Sequence, residues 1–306
     1  MLIAISGGTG FLGGHLTDAL LAAGHQVRIL SRRPMASGQA LSQQKAVSFY
    51  TLSLTDDEKL LAALSGCDAI AHLSGINREI APGDFADCHV QSTKHILLAA
   101  QKANLKKIVY VSYLRARPDK LSHYLQSKWD GEEVIRGGAL DYTVIKPGLC
   151  FGPRDQMVSS IVHTLNLTPG FGFFATVGWP EKTVRPVFVA DMVLIMVKAL
   201  TAAALSRKTV AVVGPEELKL SDAVKRVGKV IGKPVLIVPT PAFAQYALAW
   251  SMEQTMRYPI VTVAQIRMLA EGMSEATGNL DPLPIELQPK TYFTEAQISL
   301  ALKQIG

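Results

Sequence analysis

The chain is poor in cysteine, with three in 306 residues. Cys67, Cys88 and Cys150 lie far apart and form no C-x-x-C pair. An odd, scattered set excludes a disulfide framework, fits a reducing compartment and offers no metal-ligand spacing. A cytoplasmic location and no metal site are therefore expected. No window of about 18 residues is apolar without a charge or a turn former, so no membrane span is expected. Met1 runs straight into a strand pattern, with no signal peptide ahead of it. Basic runs are missing as well. The net charge of +6 comes from scattered Lys and Arg, which favours an anionic small ligand over nucleic acid. A nucleic-acid or membrane-surface role for that charge predicts affinity that falls steeply with salt. Repeats and low-complexity segments are absent.

What is present is a globular composition, 48% hydrophobic and 18% charged. Short β-branched runs at 2–6, 26–30, 47–52, 68–73, 107–112 and 141–147 alternate with helical patterns at 11–23, 56–64, the segment ending "HILLAAQKAN", and 123–136. The alternation predicts an α/β chain, a Rossmann-type doubly wound parallel sheet with a small C-terminal substrate lobe. The expected division is a dinucleotide-binding domain over 1–150, then 151–306 with the remaining sheet elements at about 184–213 and the smaller lobe over the sheet's carboxyl edge. In that second half, "TPGFGFF" and "GWPEKTVRP" read as loops, with the aromatics of "GFGFF" either roofing a pocket or, more commonly for such residues, anchoring the loop in the core. Residues 187–200 read as a helix and "TVAVVG" as a strand. Helices follow from Leu220, near Ala242, near Val263 and from Thr294, which offers a cap. "PAFAQYALAWSM" is apolar on nearly all sides and too short to span a bilayer, and reads as a buried helix.

The first strand runs into "GGTGFLGG". Gly7 lets the chain turn sharply, Gly10 lets backbone approach a bulky anion, and Gly13 lets the helix pack on the strand. The loop, Thr9 included, then presents the free N–H groups of the helix start, Phe11 and Leu12 among them, to a pyrophosphate. A glycine pattern alone is weak; a strand before it and a helix after it make it informative. About twenty residues on, a carboxylate ordinarily bonds the ribose hydroxyls of NAD. Here stand Ser31, Arg32 and Arg33. A carboxylate repels a 2′-phosphate, whereas a guanidinium grips it. NADP(H) is expected over NAD(H), with Arg32 ahead of Arg33. The alternative for both arginines is a solvated strand end.

Tyr124 and Lys128 are four apart, on one helical face. A phenol titrates at about pH 10 unperturbed, and a neighbouring ammonium and a cationic nicotinamide both favour the phenolate. Such a tyrosine gives a proton to a carbonyl oxygen as hydride arrives, or takes it back in reverse.

"SGGTGFLGGHL", "LTDDEKLLAALSGCDAIAHLSG", "HVQSTKHILLAAQKANLKKIVYVS", "YLQSK", "YTVIKPGLCFGPRD" and "VRPVFVADM" occur in order along nearly the whole chain. In these pieces it resembles the extended and atypical short-chain dehydrogenase/reductase superfamily, the epimerase/dehydratase-like branch. Within it the likeness is to the atypical group that includes the nucleotide-binding accessory subunit of respiratory complex I. The resemblance implies that Leu73, Ser74 and Gly75 lie beside the adenine-side ribose and that Lys146 and Pro147 lie near the nicotinamide. It also implies that Tyr124 is the catalytic tyrosine and Lys128 the lysine that bonds the nicotinamide ribose. Arg185 aligns with an arginine that sugar-nucleotide enzymes use on a substrate phosphate, which leaves an anionic small-molecule substrate open beside the plainer reading of a surface arginine. Family members often dimerise through two helices flanking the sheet, one carrying Tyr124, which leaves a homodimer open.

Several positions depart from the superfamily pattern. Leu114 stands where a Ser or Thr polarises the substrate oxygen, and Ser112 lies two residues earlier. The usual Asn of the long helix is His89, which as a hydrogen-bond donor stays a candidate substrate contact, the Arg before Pro147 is Lys146, and an acidic residue after the third strand is Ser53. Asp191 is expected to cap a helix beginning at Met192. Two functions follow as expectations. One is hydride transfer between nicotinamide and a carbonyl or hydroxyl substrate, by an oxidoreductase or epimerase-like enzyme. The other is NADP(H) binding without turnover, as a sensor, assembly factor or structural subunit.

Overall fold

The computed structural model describes residues 1–34, 45–256 and 261–303. β1 (Leu2–Ser6) is an apolar run with its last four residues buried, as a strand covered on both faces must be. The glycine turn leads into α1 (Phe11–Ala22), which ends before Gly24 at φ +78°, the left-handed conformation that favours glycine after a helix. β2 (Gln26–Ser31) pairs parallel with β1, Ile3 opposite Val27, and β3 (Val47–Thr51) pairs parallel with β2. α2 (Asp57–Leu64) starts at Asp56, whose carboxylate accepts the Lys59 N–H. β4 (Ala69–His72) then pairs with the other edge of β1. The next helix is built in three pieces: α3 (Asp84–Ala86), a π-helical stretch over Asp87–Gln91, and α4 (Ser92–Lys102). β5 (Lys107–Val111), α5 (His123–Arg136) and β6 (Asp141–Pro147) continue the winding, with β5 parallel to both β4 and β6.

Further along lie β7 (Cys150–Phe151), α6 (Gln156–Asn166), β8 (Gly172–Val177), β9 (Thr183–Val184), β10 (Val187–Phe188), α7 (Val189–Thr201), β11 (Lys208–Val212), β12 (Leu218–Lys219), α8 (Leu220–Val230), β13 (Val235–Thr240), α9 (Ala242–Thr255), α10 (Val263–Glu271) and α11 (Glu295–Leu302). β11 returns to the main sheet, whose order is β11-β6-β5-β4-β1-β2-β3. The order reverses between β1 and β4, the switch point at which open α/β sheets bind ligands. Leu60, Leu64, Ile70, Ile96 and Ile108, all 0% exposed, hold one face of the sheet to its helices. Each such side chain contributes about 1.5–3 kcal/mol.

The chain forms two compact units. The first is Met1–Lys146 with Val193–Ala211 and Thr277–Leu287. The second begins at Pro147, and takes Val212–Ala276 and the residues from Gln288 on. The first unit is thus discontinuous, because β11 completes its sheet and residues 277–287 come back to it. Asp281 exchanges two hydrogen bonds with Thr209 there, one in each direction.

In the second unit the structure departs from several expectations. Residues 172–177 are a strand, β8, paired in parallel with β13 from Gly172–Val235 to Val177–Thr240. Both strands lack a local turn signal, because their partners lie about sixty residues apart in sequence. Phe171 and Phe173 are consequently not core anchors but exposed. The 187–200 segment opens with two residues of strand, β10 against β7, before the helix begins. Asp191 lies inside α7 and accepts the N–H groups of Lys290 and Thr291 with one carboxylate oxygen. It therefore braces a distant segment rather than capping the helix. α9 forms, yet only Gln245 and Ala249 are buried on it. It packs on α10 and, through Gln245, on the carbonyls of Ala175 and Thr176, which leaves Phe243, Leu248 and Trp250 exposed. Thr294 caps α11 through the Gln297 N–H. Among the described residues no helix is long and apolar enough to cross a membrane.

Candidate functional site

The turn after β1 fits its residues closely. Gly7 adopts φ +77°, and a Cβ on it would stand 3.0 Å from the Leu73 carbonyl carbon and the Ser74 nitrogen. The end of β4 therefore touches the turn backbone to backbone. A Cβ on Gly13 would collide with the Gly7 carbonyl and the Gly8 Cα. The Gly10 N–H donates to Gly7 O at 3.0 Å, closing the turn, and no side chain caps α1 and no acidic residue occupies its first turn. Its first N–H groups have no partner within the helix and carry the positive end of its dipole. Thr9 and Gly10 are exposed, and Phe11 and Leu12 half-buried.

A buried polar chain runs from this turn across the sheet edge. The Ser6 hydroxyl lies 2.6 Å from His72 Nδ1, and His72 Nε2 lies 2.9 Å from Thr93 Oγ1. Thr93 donates its own proton to His89 O. Its oxygen therefore accepts from His72 Nε2–H, and Nδ1 accepts from Ser6. Burial first, and the Lys128 charge second, bring His72 down to about 3, so the ring is neutral. His89 is placed by the π-helical stretch. Its Nε2 accepts the Ile76 N–H at 3.1 Å, which leaves the proton on Nδ1 for Ser127 Oγ at 2.9 Å. Ser127 in turn donates to the Tyr124 carbonyl. Burial and Lys128 bring His89 to about 2.

Tyr124 and Lys128 stand on α5, which starts at Ser122 with its side chain accepting the Leu125 N–H. The Tyr124 ring is boxed edge-on by Phe85, His89 and Tyr113, with centroids 5.4, 5.8 and 5.5 Å away. This desolvation raises its phenol above the ordinary range. Lys128 is only 6% exposed. Its ammonium lies 5.9 Å from the Tyr110 ring centroid and 3.0 Å from where a Cβ on Gly75 would be. Among the described residues it makes no hydrogen bond. Burial brings its pKa down to about 8, against the pull of Cys88 and Glu132.

The remaining candidates fall into two sets. Leu114 is 0% exposed, and its carbonyl accepts the Thr277 N–H. The Ser112 hydroxyl donates to Glu132 Oε1 at 2.5 Å. Lys146 is drawn into the same cluster. Its ammonium donates to Ala116 O at 2.9 Å and Thr277 O at 2.8 Å and lies 3.3 Å from Glu132 Oε1. Pro147 closes β6 and is buried. Ser31 is half-buried at the end of β2 and accepts the Arg33 N–H, while Arg32 and Arg33 are exposed. The Ala81 and Ile80 N–H groups hold the Asp84 carboxyl below its ordinary range, with a small pull from Arg32, and burial raises the Cys88 thiol against the pull of Lys128 and Arg32. Ser74 is half-buried and Gly75 exposed. In the second unit, Arg185 donates from Nε to Gly214 O at 3.0 Å, which leaves its terminal nitrogens for other contacts. No sequence motif singles out His72 or Tyr113, nor Glu132. Glu132 had a legible signal: it lies four residues past Lys128, on the same helical face.

A glycine turn at the switch point, with a lysine at the same sheet edge whose ammonium has no hydrogen bond among the described residues, defines a dinucleotide-binding protein of the Rossmann class. Residues 7–157 match the family model described as NAD(P)H-binding. The mouse mitochondrial NADH dehydrogenase (ubiquinone) 1 alpha subcomplex subunit 9 is 27% identical over 247 residues, 79% of this chain. The chain spans 64% of that protein's length. A ceramide reductase of Caulobacter vibrioides is 30% identical over 154 residues, 50% of this chain and 48% of that one. In fold, the chain is similar to the Bordetella bronchiseptica enzyme WbmG, solved with NAD and UDP. The TM-score is 0.73 at 18% identity, over 99% of this chain and 93% of that one. In these matches and in its fold the chain resembles the extended and atypical short-chain dehydrogenase/reductase superfamily.

Proposed function

We propose that the protein is an NADP(H)-dependent oxidoreductase of this superfamily, acting in the cytoplasm on a small carbonyl or hydroxyl compound. The observation that carries the proposal is Lys128, 6% exposed, whose ammonium stands beside Gly75 with no hydrogen bond to any described residue, one turn from Tyr124. A buried charge left unpaired is costly, and the ribose hydroxyls of a nicotinamide dinucleotide satisfy it. The glycine turn supplies N–H groups for the pyrophosphate, and Arg32 supplies a guanidinium for a 2′-phosphate. The cofactor, when bound, accepts or supplies a hydride. Tyr124, held protonated by its apolar box, gives its phenolic proton to the substrate oxygen in reduction and takes it back in oxidation. Lys128 stabilises the phenolate that results. His89 stays neutral and orients α5 through Ser127.

Leu114 supports a second reading, tight dinucleotide binding without turnover, because no hydroxyl stands where the superfamily polarises the substrate. The likeness to an accessory subunit of complex I points the same way. NADPH consumption over a panel of apolar and anionic carbonyl compounds separates the two. Turnover that disappears in Tyr124→Phe while NADPH binding survives supports the enzyme. Tight NADPH binding with no turnover across the panel supports the binding protein.

A further inference from the structure

Tyr124, Lys128, Glu132 and Arg136 form a ladder along α5, each four residues from the last. The proposed reaction uses the first two. Glu132 is 0% exposed and has both carboxylate oxygens engaged. Oε1 accepts from Ser112 at the end of β5 and lies 3.3 Å from Lys146 of β6. Oε2 accepts two N–H groups of Arg136 at 3.1 Å. At the residue before it, a Cβ on Gly131 would run into the Tyr110 hydroxyl and the His89 carbonyl. α5 is thus pressed against β5 and the π-helical stretch at this turn.

We propose that Glu132 is a positioning residue: tied to the ends of β5 and β6, it sets where α5 presents the Lys128 ammonium and keeps that ammonium charged for the dinucleotide. The inference rests on the role given to Lys128 under the proposed function. The groups that face Lys128 are Cys88 and His89 on the π-helical stretch, His72 on β4, Tyr110 on β5, and Tyr124 and Glu132 on its own helix. Burial holds both imidazoles neutral and raises the thiol and both phenols. The carboxylate acting on Lys128 is therefore that of Glu132, one helical turn away. Ser112 and Lys146 hold it there. A tie that only joined helix to sheet would not require a charge, because buried ion pairs are often replaceable by well-packed apolar groups.

The test is the titration of Lys128 in the cofactor-free protein, followed by NMR of lysines labelled with 13C at Cε and assigned with Lys128→Met. Because no cofactor is present, the outcome is independent of whether the protein turns over substrate. In Glu132→Gln the proton affinity of Lys128 falls at least threefold. In Glu132→Asp, which keeps the charge on a shorter stem, it falls less. An unchanged midpoint in folded Glu132→Gln, or equal shifts in both variants, overturns the proposal. If Glu132→Gln yields no folded protein, Glu132→Asp decides alone: a lowered midpoint supports the positioning role and an unchanged one overturns it.

Discussion

The ammonium of Lys128 lies 3.0 Å from the point where a side chain on residue 75 would begin. Gly75 is exposed, and its backbone is outside the left-handed region, so its small size matters here for space rather than for conformation. Gly75→Ala should fold normally and push Lys128 from its place. NADPH binding, followed by nicotinamide fluorescence, should weaken about tenfold, equivalent to about 1.4 kcal/mol. Wild-type affinity in this variant would mean that the ammonium has no part in holding the ligand.

The same lysine gives the protein a pH dependence. Its folded pKa, about 8, is below the ordinary 10.5 because burial disfavours the charge. The fold therefore binds fewer protons than the unfolded chain between these values. This group's contribution to stability rises across that window as pH increases. Ligand binding has the opposite sense, because it uses the ammonium. NADPH affinity should be greatest below pH 8 and fall above it, by at most about tenfold per pH unit. Lys128→Met should bind more weakly and lose the dependence. A wild-type profile that is flat from pH 7 to 10 contradicts the assignment, a range set by that one pKa.

Cofactor choice is assigned to Arg32, exposed at the end of β2. Arg32→Asp should reduce NADPH affinity at least tenfold, about 1.4 kcal/mol, and leave NADH affinity within about threefold. Calorimetric titration with both nucleotides checks it. An equal loss for the two would make Arg32 a general surface charge.

Gly131 reports on the packing of α5. A methyl there meets the Tyr110 hydroxyl and the His89 carbonyl, and the helix has no room to retreat while Glu132 is tied to Ser112 and Lys146. Gly131→Ala should cost about 1–3 kcal/mol of stability, despite alanine's better helix propensity. Urea unfolding measures it, and an unchanged or raised midpoint would show that α5 is free to shift.

The alternation of apolar runs and helical patterns made the first unit legible, because each strand of a doubly covered sheet carries its own burial in sequence. The glycine turn and the Tyr124–Lys128 spacing were legible for the same local reason. The second unit hid β8 and β13, which find each other across about sixty residues and carry no periodic signal of their own. The exposed face of α9 was equally hidden, since an apolar helix reads as buried until its packing partners are known. The fate of Lys146 was out of reach as well. The cluster that takes its ammonium joins Glu132 on α5 with carbonyls of Ala116 and Thr277, and Thr277 is far away in sequence.

Fluorescence titration of the folded wild-type protein with NADPH and with NADH is the most direct measurement. Saturable binding at one site per chain, tighter for NADPH and abolished in Gly13→Val, is the expected result. A folded protein that leaves both nucleotides unbound at millimolar concentration would contradict the account at its base.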